Sequence, residues 1–291
     1  MRIKTLLAMC FPLFLLGDAL ALDSGGKHFV WKIEGQTNTV YLLGSVHFLR
    51  AEDYPLPDAF EYAYLDAEEL YMELDLDDLD PVHVVQITQE KGLLKDGQSL
   101  RELMGSDYAK AARHAEEIGL DLGMLTSAKP WLAALTVVQL QLIKLGYDQQ
   151  HGVEMHFVRK AQDDSKEIHG LETMQYQLEL LDDLPPSSQR DFLLQTLAEA
   201  ADMEQEMERI MVAWRAGDSD SVAEQMLAEL KKLPGLYRTL ITDRNESWLK
   251  TVRDLLRADK DYLIVVGAGH LAGKDSLVNK LERLGYSAEQ L

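Results

Sequence analysis

Two short apolar runs, Val40-Tyr41-Leu42-Leu43 and Leu263-Ile264-Val265-Val266, stand near opposite ends of the chain, each followed by a glycine. Aliphatic or β-branched stretches of this length, punctuated in this way, read as buried strands. The weak alternation of His28-Phe29-Val30-Trp31-Lys32-Ile33 precedes a turn at 34–38, so the first run closes a β-hairpin. Pro57-Asp58 opens a helix to about Asp66, and Glu69-Leu70-Tyr71-Met72-Glu73-Leu74 follows as a third strand. From 81 to 257 apolar residues recur at three- and four-residue spacing, broken by Gly119, Gly146, Pro185-Pro186, Gly217 and Pro234-Gly235, which predicts helices almost throughout. The exception is Glu167-Ile168-His169-Gly170, a short strand before a helix starting near Leu171. Within this region 187–216 predicts one long charged helix with a solvated face, and the final helix of the chain spans 275–284.

Strands at both ends with helices between them predict an α/β fold with an α+β tendency. A central mixed sheet is built from both ends of the chain, flanked by helices, with a large helical middle region over about 81–257. Such a sheet brings together two tetrads that directly follow strands, Gly44-Ser45-Val46-His47 and Gly267-Ala268-Gly269-His270. Glycine three residues before each histidine lets the backbone turn sharply or approach another group closely, so the imidazole can point into a cleft at the sheet edge.

Composition narrows the setting. Arg2 and Lys4, the apolar stretch from Thr5 to Gly17 and the Ala19-Leu20-Ala21 cleavage pattern mark 1–21 as a signal peptide, leaving 22–291 as a single domain, periplasmic or secreted. Cys10, the only cysteine, departs with the signal, so the exported chain has neither a disulfide nor a cysteine nucleophile. No other stretch approaches the roughly 20 apolar residues of a spanning helix, so no stable membrane span is expected after cleavage. The formal charge of −20 disfavours nucleic acid and anionic lipid as partners. The partner expected is a peptide or small-molecule substrate, and nothing in the sequence marks an oligomeric state.

Seven segments then occur in a specific order: Tyr41 to His47, Glu73-Leu74-Asp75, Lys129-Pro130-Trp131, Gly152-Val153-Glu154, Leu171-Glu172-Thr173, Arg244-Asn245 and Val265 to Gly273. In these pieces, which cover most of the mature chain, the sequence resembles the TraB/PrgY/GumN family, whose relatives include the Tiki-type metalloproteases. The resemblance implies a helix-flanked central sheet and, as in the Tiki-type members, a divalent-metal-dependent peptidase using the paired Gly-x-x-His motifs with acidic partners. Family members often carry aspartate at position 154, where this chain has Glu154.

A hydrolytic site without cysteine can obtain a nucleophile at neutral pH from metal-bound water, whose pKa falls towards about 7. Imidazoles of His47 and His270 with the carboxylate of Glu73 form a mixed nitrogen and oxygen shell suited to manganese, cobalt or zinc. Glu172 is a further ligand, a general base, or a first-turn helix carboxylate favoured by the helix dipole. Arg244 stabilises a developing oxyanion or pairs with Asp243 or Glu246 on its own helix. His28, His83, His114 and His169 lack the double glycine context and read as surface or satisfied polar groups. His151 and His156 are five apart around a Gly-Val pair, a poor helical metal motif. The glycines of 267–273 imitate a dinucleotide loop, but only 18 residues follow, too few for the next strand and its ribose-binding acid. Ser45 lacks the nucleophile-elbow glycines of a serine hydrolase. The sequence thus predicts an exported metal-dependent hydrolase, a peptidase, with His47, Glu73, Glu172, Arg244 and His270 as its site. The alternative is a non-catalytic protein that binds or sequesters a peptide, of the pheromone-shutdown type.

Overall fold

Apolar and polar residues alternate only until the backbone reaches the centre of the sheet. The computed structural model describes residues 26–95 and 97–291, so the signal expected over 1–21, with Cys10, lies outside the described residues. Strands β1 (Val30–Glu34) and β2 (Thr39–Ser45) form the expected hairpin, with Val30 opposite Leu43 and Glu34 opposite Thr39. They join β3 (Glu69–Leu74), β4 (Ile168–Glu172), β5 (Tyr262–Gly267) and β6 (Ala288–Gln290) in one sheet of order β4-β3-β5-β2-β1-β6. The two runs from opposite ends of the sequence are direct neighbours, since β5 lies parallel to both β2 and β3. Strand β2 is buried at every position, and β5 from Tyr262 to Val266, which is why they read as continuous apolar runs. Sequence periodicity missed β6, because three residues with one small apolar side chain carry no detectable alternation.

Strands β2, β5, β3 and β4 run in one direction, so their carboxyl ends share an edge, with Ser45 opposite Gly267 and Leu74 opposite Glu172. Crevices at that edge of an open α/β sheet are where such folds hold ligands.

Among the described residues fourteen α-helices accompany the sheet. Helix α1 (Asp58–Asp66) links β2 to β3. Helices α2 (Pro81–Gly92), α3 (Leu100–Met104), α4 (Tyr108–Glu117), α5 (Pro130–Lys144) and α6 (Val153–Asp164) precede β4. After it come α7 (Met174–Asp182), α8 (Pro186–Glu199), α9 (Met203–Arg215), α10 (Ser219–Lys231), α11 (Pro234–Tyr237) and α12 (Asp243–Leu255). The one-turn α13 (Ala268–Leu271) and α14 (Leu277–Arg283) close the order. Lys129-Pro130-Trp131 starts α5 as expected, with Trp131 fully buried.

Three expected elements change. The helix predicted over 187–216 is two helices, α8 and α9, because its apolar faces belong to different cores: Leu193 and Leu197 pack with α5, whereas Met211 and Trp214 pack beneath the sheet. The helix predicted near Leu171 begins at Met174, where the Thr173 side chain caps it by accepting from the Tyr176 amide at 3.2 Å, so Glu172 stays in the strand. The helix predicted over 275–284 is shorter, entered through the Ser276 cap.

The main core wraps both sheet faces, and a second, all-helical core joins α3, α4, α5 and α8. At Gly44 the two meeting halves of the chain leave no room for a side chain: a Cβ would overlap the Phe29 ring and lie 3.1 Å from the Ala268 Cα. The Gly44 carbonyl also accepts from Trp214 Nε1 at 2.7 Å, tying α9 to the strand. Gly44→Ala is therefore expected to destabilise the protein by about 1–3 kcal/mol, read as a lower urea midpoint. An unchanged midpoint would show that β2 and α13 are not packed this closely.

Candidate functional site

Every element that reaches the carboxyl edge of the parallel strands delivers a polar side chain to it. β2 ends in Ser45 and leads to His47; β3 carries Glu73 one residue before its end; β4 ends in Glu172; β5 ends in Gly267, and the single turn of α13 then carries His270. Helix α12 adds Arg244, Asn245 and Trp248 from above, entered through a π-helical turn at Arg238–Thr242 that re-aims its first residues. Helix α6 adds Glu154 in its first turn, and Gly152 before it leaves space for the His47 carbonyl, which a Cβ there would overlap.

All five residues expected from sequence meet here. Arg244 is the hub: Nη2 donates to Glu73 Oε2 at 2.6 Å and Glu172 Oε2 at 2.8 Å, Nε to Glu172 Oε2 at 3.0 Å, and Nη1 to His270 Nε2 at 3.1 Å. Its side-chain partners thus come from the sheet and from α13, not from Asp243 or Glu246. Glu172 also accepts from Trp248 Nε1 at 2.9 Å, so each of its oxygens is engaged. Glu73 Oε1 accepts from the Gly267 amide at 2.8 Å and stands 3.8 Å from His270 Nε2. A Cβ placed on Gly267 would lie 3.3 Å from Glu73 Oε1, 3.6 Å from His47 Nε2 and 3.8 Å from His270 Cδ2, so glycine keeps open the space on which these three groups converge.

The profile of the TraB/PrgY/gumN family matches residues 29–290, almost the whole described chain. The protein belongs to that family. It is 24% identical over 266 residues to the uncharacterized protein YbaP of Escherichia coli, covering 88% of this chain and 94% of that one. To metalloprotease TIKI1 of Homo sapiens it is 24% identical over 316 residues, covering 90% of this chain but 61% of the relative. No solved structure gives a significant match.

In this family member both histidines are oriented through the ring nitrogen that faces away from the Gly267 space. Asn245 Nδ2 donates to the carbonyls of His270 and Asp275, which leaves its Oδ1 to accept from His270 Nδ1 at 2.7 Å. His270 Nε2 therefore carries the lone pair. His47 Nδ1 lies 2.6 Å from Glu154 Oε1, which the Ser45 hydroxyl also contacts, so His47 Nε2 faces the cavity. Sequence reasoning assigned no role to Ser45, Asn245 or Trp248 and none securely to Glu154; the Gly-Val-Glu segment and the residue after Arg244 were the signals available. His156 is absent from the site and pairs with Glu61 at 2.7 Å.

The two imidazoles have opposite electrostatics. The Glu154 carboxylate pushes the half-exposed His47 up to about 9 against the opposing effect of burial. Burial pushes His270 down to about 3, with Arg244 acting in the same direction and Glu73 against it. Burial also raises Glu73, but the charges of Arg244, His270 and His47 outweigh it and hold this carboxyl below its usual range. For Glu154 the same burial is outweighed by His47, its ion-pair partner.

The donor chemistry fits a divalent ion. Two imidazoles present Nε2 with Nδ1 held by a carboxylate or amide oxygen, the arrangement that orients histidine ligands. Glu73, Glu154 and Glu172 outnumber the Arg244 cation, leaving two negative charges uncompensated once His47 gives up its proton to become a ligand. The three donors are more open than a closed shell, since they do not all lie within 4.8 Å of one another, and Arg244 Nη1 covers the His270 lone pair. Among the described residues a tighter group is Glu69, Glu167 and His169, near the start of β3 and β4, where Lys260 also pairs with Glu69. It lies four residues along β3 from Glu73, about 13 Å at strand spacing.

A protonated His47 beside Glu154 ties stability to pH. With the histidine raised from 6.5 to about 9, its contribution is complete below pH 6.5 and disappears as pH rises through 9. In chelated protein, the difference in unfolding free energy between wild type and His47→Gln should therefore shrink from about pH 6 to about pH 10. A difference constant over that window would contradict the pairing.

Proposed function

We propose that this protein is an exported metal-dependent peptidase whose site is the edge shared by β2, β3, β4 and β5. The observation that carries the reading is the pair of histidines from the two glycine tetrads, each steered from behind and converging with Glu73 on the space kept by Gly267. The kinship with TIKI1, whose name records a metalloprotease, supports the same class. His47, His270 and Glu73 are the residues that would hold manganese, cobalt or zinc. Such an ion supplies a water acidified towards a pKa of about 7 and polarises the substrate carbonyl.

The surrounding side chains divide the remaining work. Glu154 steers His47 through Oε1, and Asn245 fixes the His270 tautomer. Of the six carboxylate oxygens on Glu73, Glu154 and Glu172, only Glu154 Oε2 accepts no hydrogen bond, and it is buried. That oxygen is closed to water, so Glu154 acts as a positioning residue that orients His47 from behind. Glu172, saturated by Arg244 and Trp248, acts as a positioning residue that holds the guanidinium. Arg244, whose Nη1 covers His270 Nε2, would be free to stabilise the oxyanion that develops on the substrate were that nitrogen to hold the ion.

Elemental analysis of untagged protein is expected to find a stoichiometric divalent ion, lost in both His47→Ala and His270→Ala, with peptide turnover abolished by chelator. Asn245→Ala should lower ion affinity about 10–100-fold. Glu154→Gln, which removes the carboxylate behind His47, should likewise lower ion affinity about 10–100-fold. Peptide binding that survives chelation, without turnover under manganese, cobalt or zinc, would replace this reading with sequestration.

A further inference from the structure

Beside His47, Glu73 and Glu154 the edge opens into a cavity of about 280 Å³. Phe48, Met72, Leu74, Leu76, Met155 and Met174 give it an apolar wall, and apart from His47 no basic side chain lines it. Arg244, the cation of the site, is held by two carboxylates outside this lining. Partly exposed apolar walls next to a polar centre suit a side chain of the substrate rather than its backbone. We propose that this cavity is the specificity pocket of the site, accepting a bulky apolar residue of an extended peptide, such as phenylalanine, leucine or methionine, next to the bond that is cut. The assignment rests on the peptidase reading.

Three properties select that class. Pockets for whole ligands run from about 300 to 1,000 Å³, so a cavity at the lower bound holds one large side chain. Three methionines, unbranched and polarisable, let the walls adapt to aromatic and aliphatic shapes alike. An acidic residue would enter between Glu73 and Glu154, where the only lining cation, His47, is already paired with Glu154, and a lysine would leave its ammonium against methionine and leucine, because both oxygens of Glu73 are already bonded and the free Glu154 Oε2 is buried. Gln149 and Gln177 join His47, Glu73 and Glu154 as its polar lining; Gln177 Nε2 is directed at Glu73 Oε2 at 3.3 Å and Glu172 Oε2 at 3.2 Å, so it belongs to the charged wall.

The test uses extended peptides identical except for one residue, which is Phe, Leu, Met, Ala, Lys or Asp. Their affinity is measured on chelated protein and their kcat/KM with manganese, cobalt or zinc. Binding of the Phe, Leu and Met peptides is expected to exceed that of the Ala peptide by at least about tenfold, as loss of apolar groups from a fitted pocket requires, and the Asp peptide should bind least. Met174→Arg should reverse the order, gaining the Asp peptide and losing the Phe peptide; Leu76→Arg is the second variant should Met174→Arg fail to fold, and both are checked by circular dichroism. Apolar preference in binding without turnover under any ion would keep the pocket and overturn the peptidase reading. Turnover without preference, or a preference that neither arginine variant moves, would overturn the pocket and leave the peptidase reading in place.

Discussion

A single buried guanidinium holds the functional edge together. Arg244 joins the ends of β3 and β4 through Glu73 and Glu172, reaches α13 through His270, and lies over the Trp248 ring at 4.7 Å. Charges this deeply placed are costly to desolvate, and breaking such a pair leaves a buried ion without compensation, typically at about 3–5 kcal/mol. The network is therefore a poor way to gain stability compared with apolar packing. What it provides is position: strands distant in sequence end at fixed distances from one another because one rigid fork spans them.

That fork also explains why two copies of the same short motif behave differently. Both histidines follow a parallel strand after a glycine, yet one is half exposed against a carboxylate and the other is buried beside a cation and an amide. The motif sets where each ring sits, whereas the partner on the outer nitrogen sets whether it carries charge. An unaided reading of the tetrads would treat the two imidazoles as equivalent, and their surroundings make them complementary.

Much of this arrangement was legible in the residues themselves. Buried parallel strands leave uninterrupted aliphatic runs, so β2 and β5 were plain, as was the hairpin with β1. Glu73, Glu172, Arg244 and both histidines could be named because each stands at a predicted strand end or in a motif of the resembling family. Glu154 was only partly visible, since its meaning depends on a His47 contact across the fold and the nearby His151 and His156 suggest a local motif instead. The interruption between α8 and α9 was hidden for a different reason. Helical periodicity persists on both sides, and only the separate cores that receive Leu197 and Trp214 require the chain to turn.

The strand order has a kinetic consequence. Because β5 separates β2 from β3, the β1-β2 hairpin and the β3-β4 pair cannot join into one sheet until the chain has been made to Gly267. Contacts of such long sequence separation close slowly, since the loop entropy must be overcome before any pairing is gained. The helical middle has an apolar cluster of its own, but the sheet is zipped from its centre by a segment that follows the whole helical middle in the chain. The chemistry at its edge thus depends on β5, because Glu73 stands on β3 and His47 just past β2, two strands that only β5 joins.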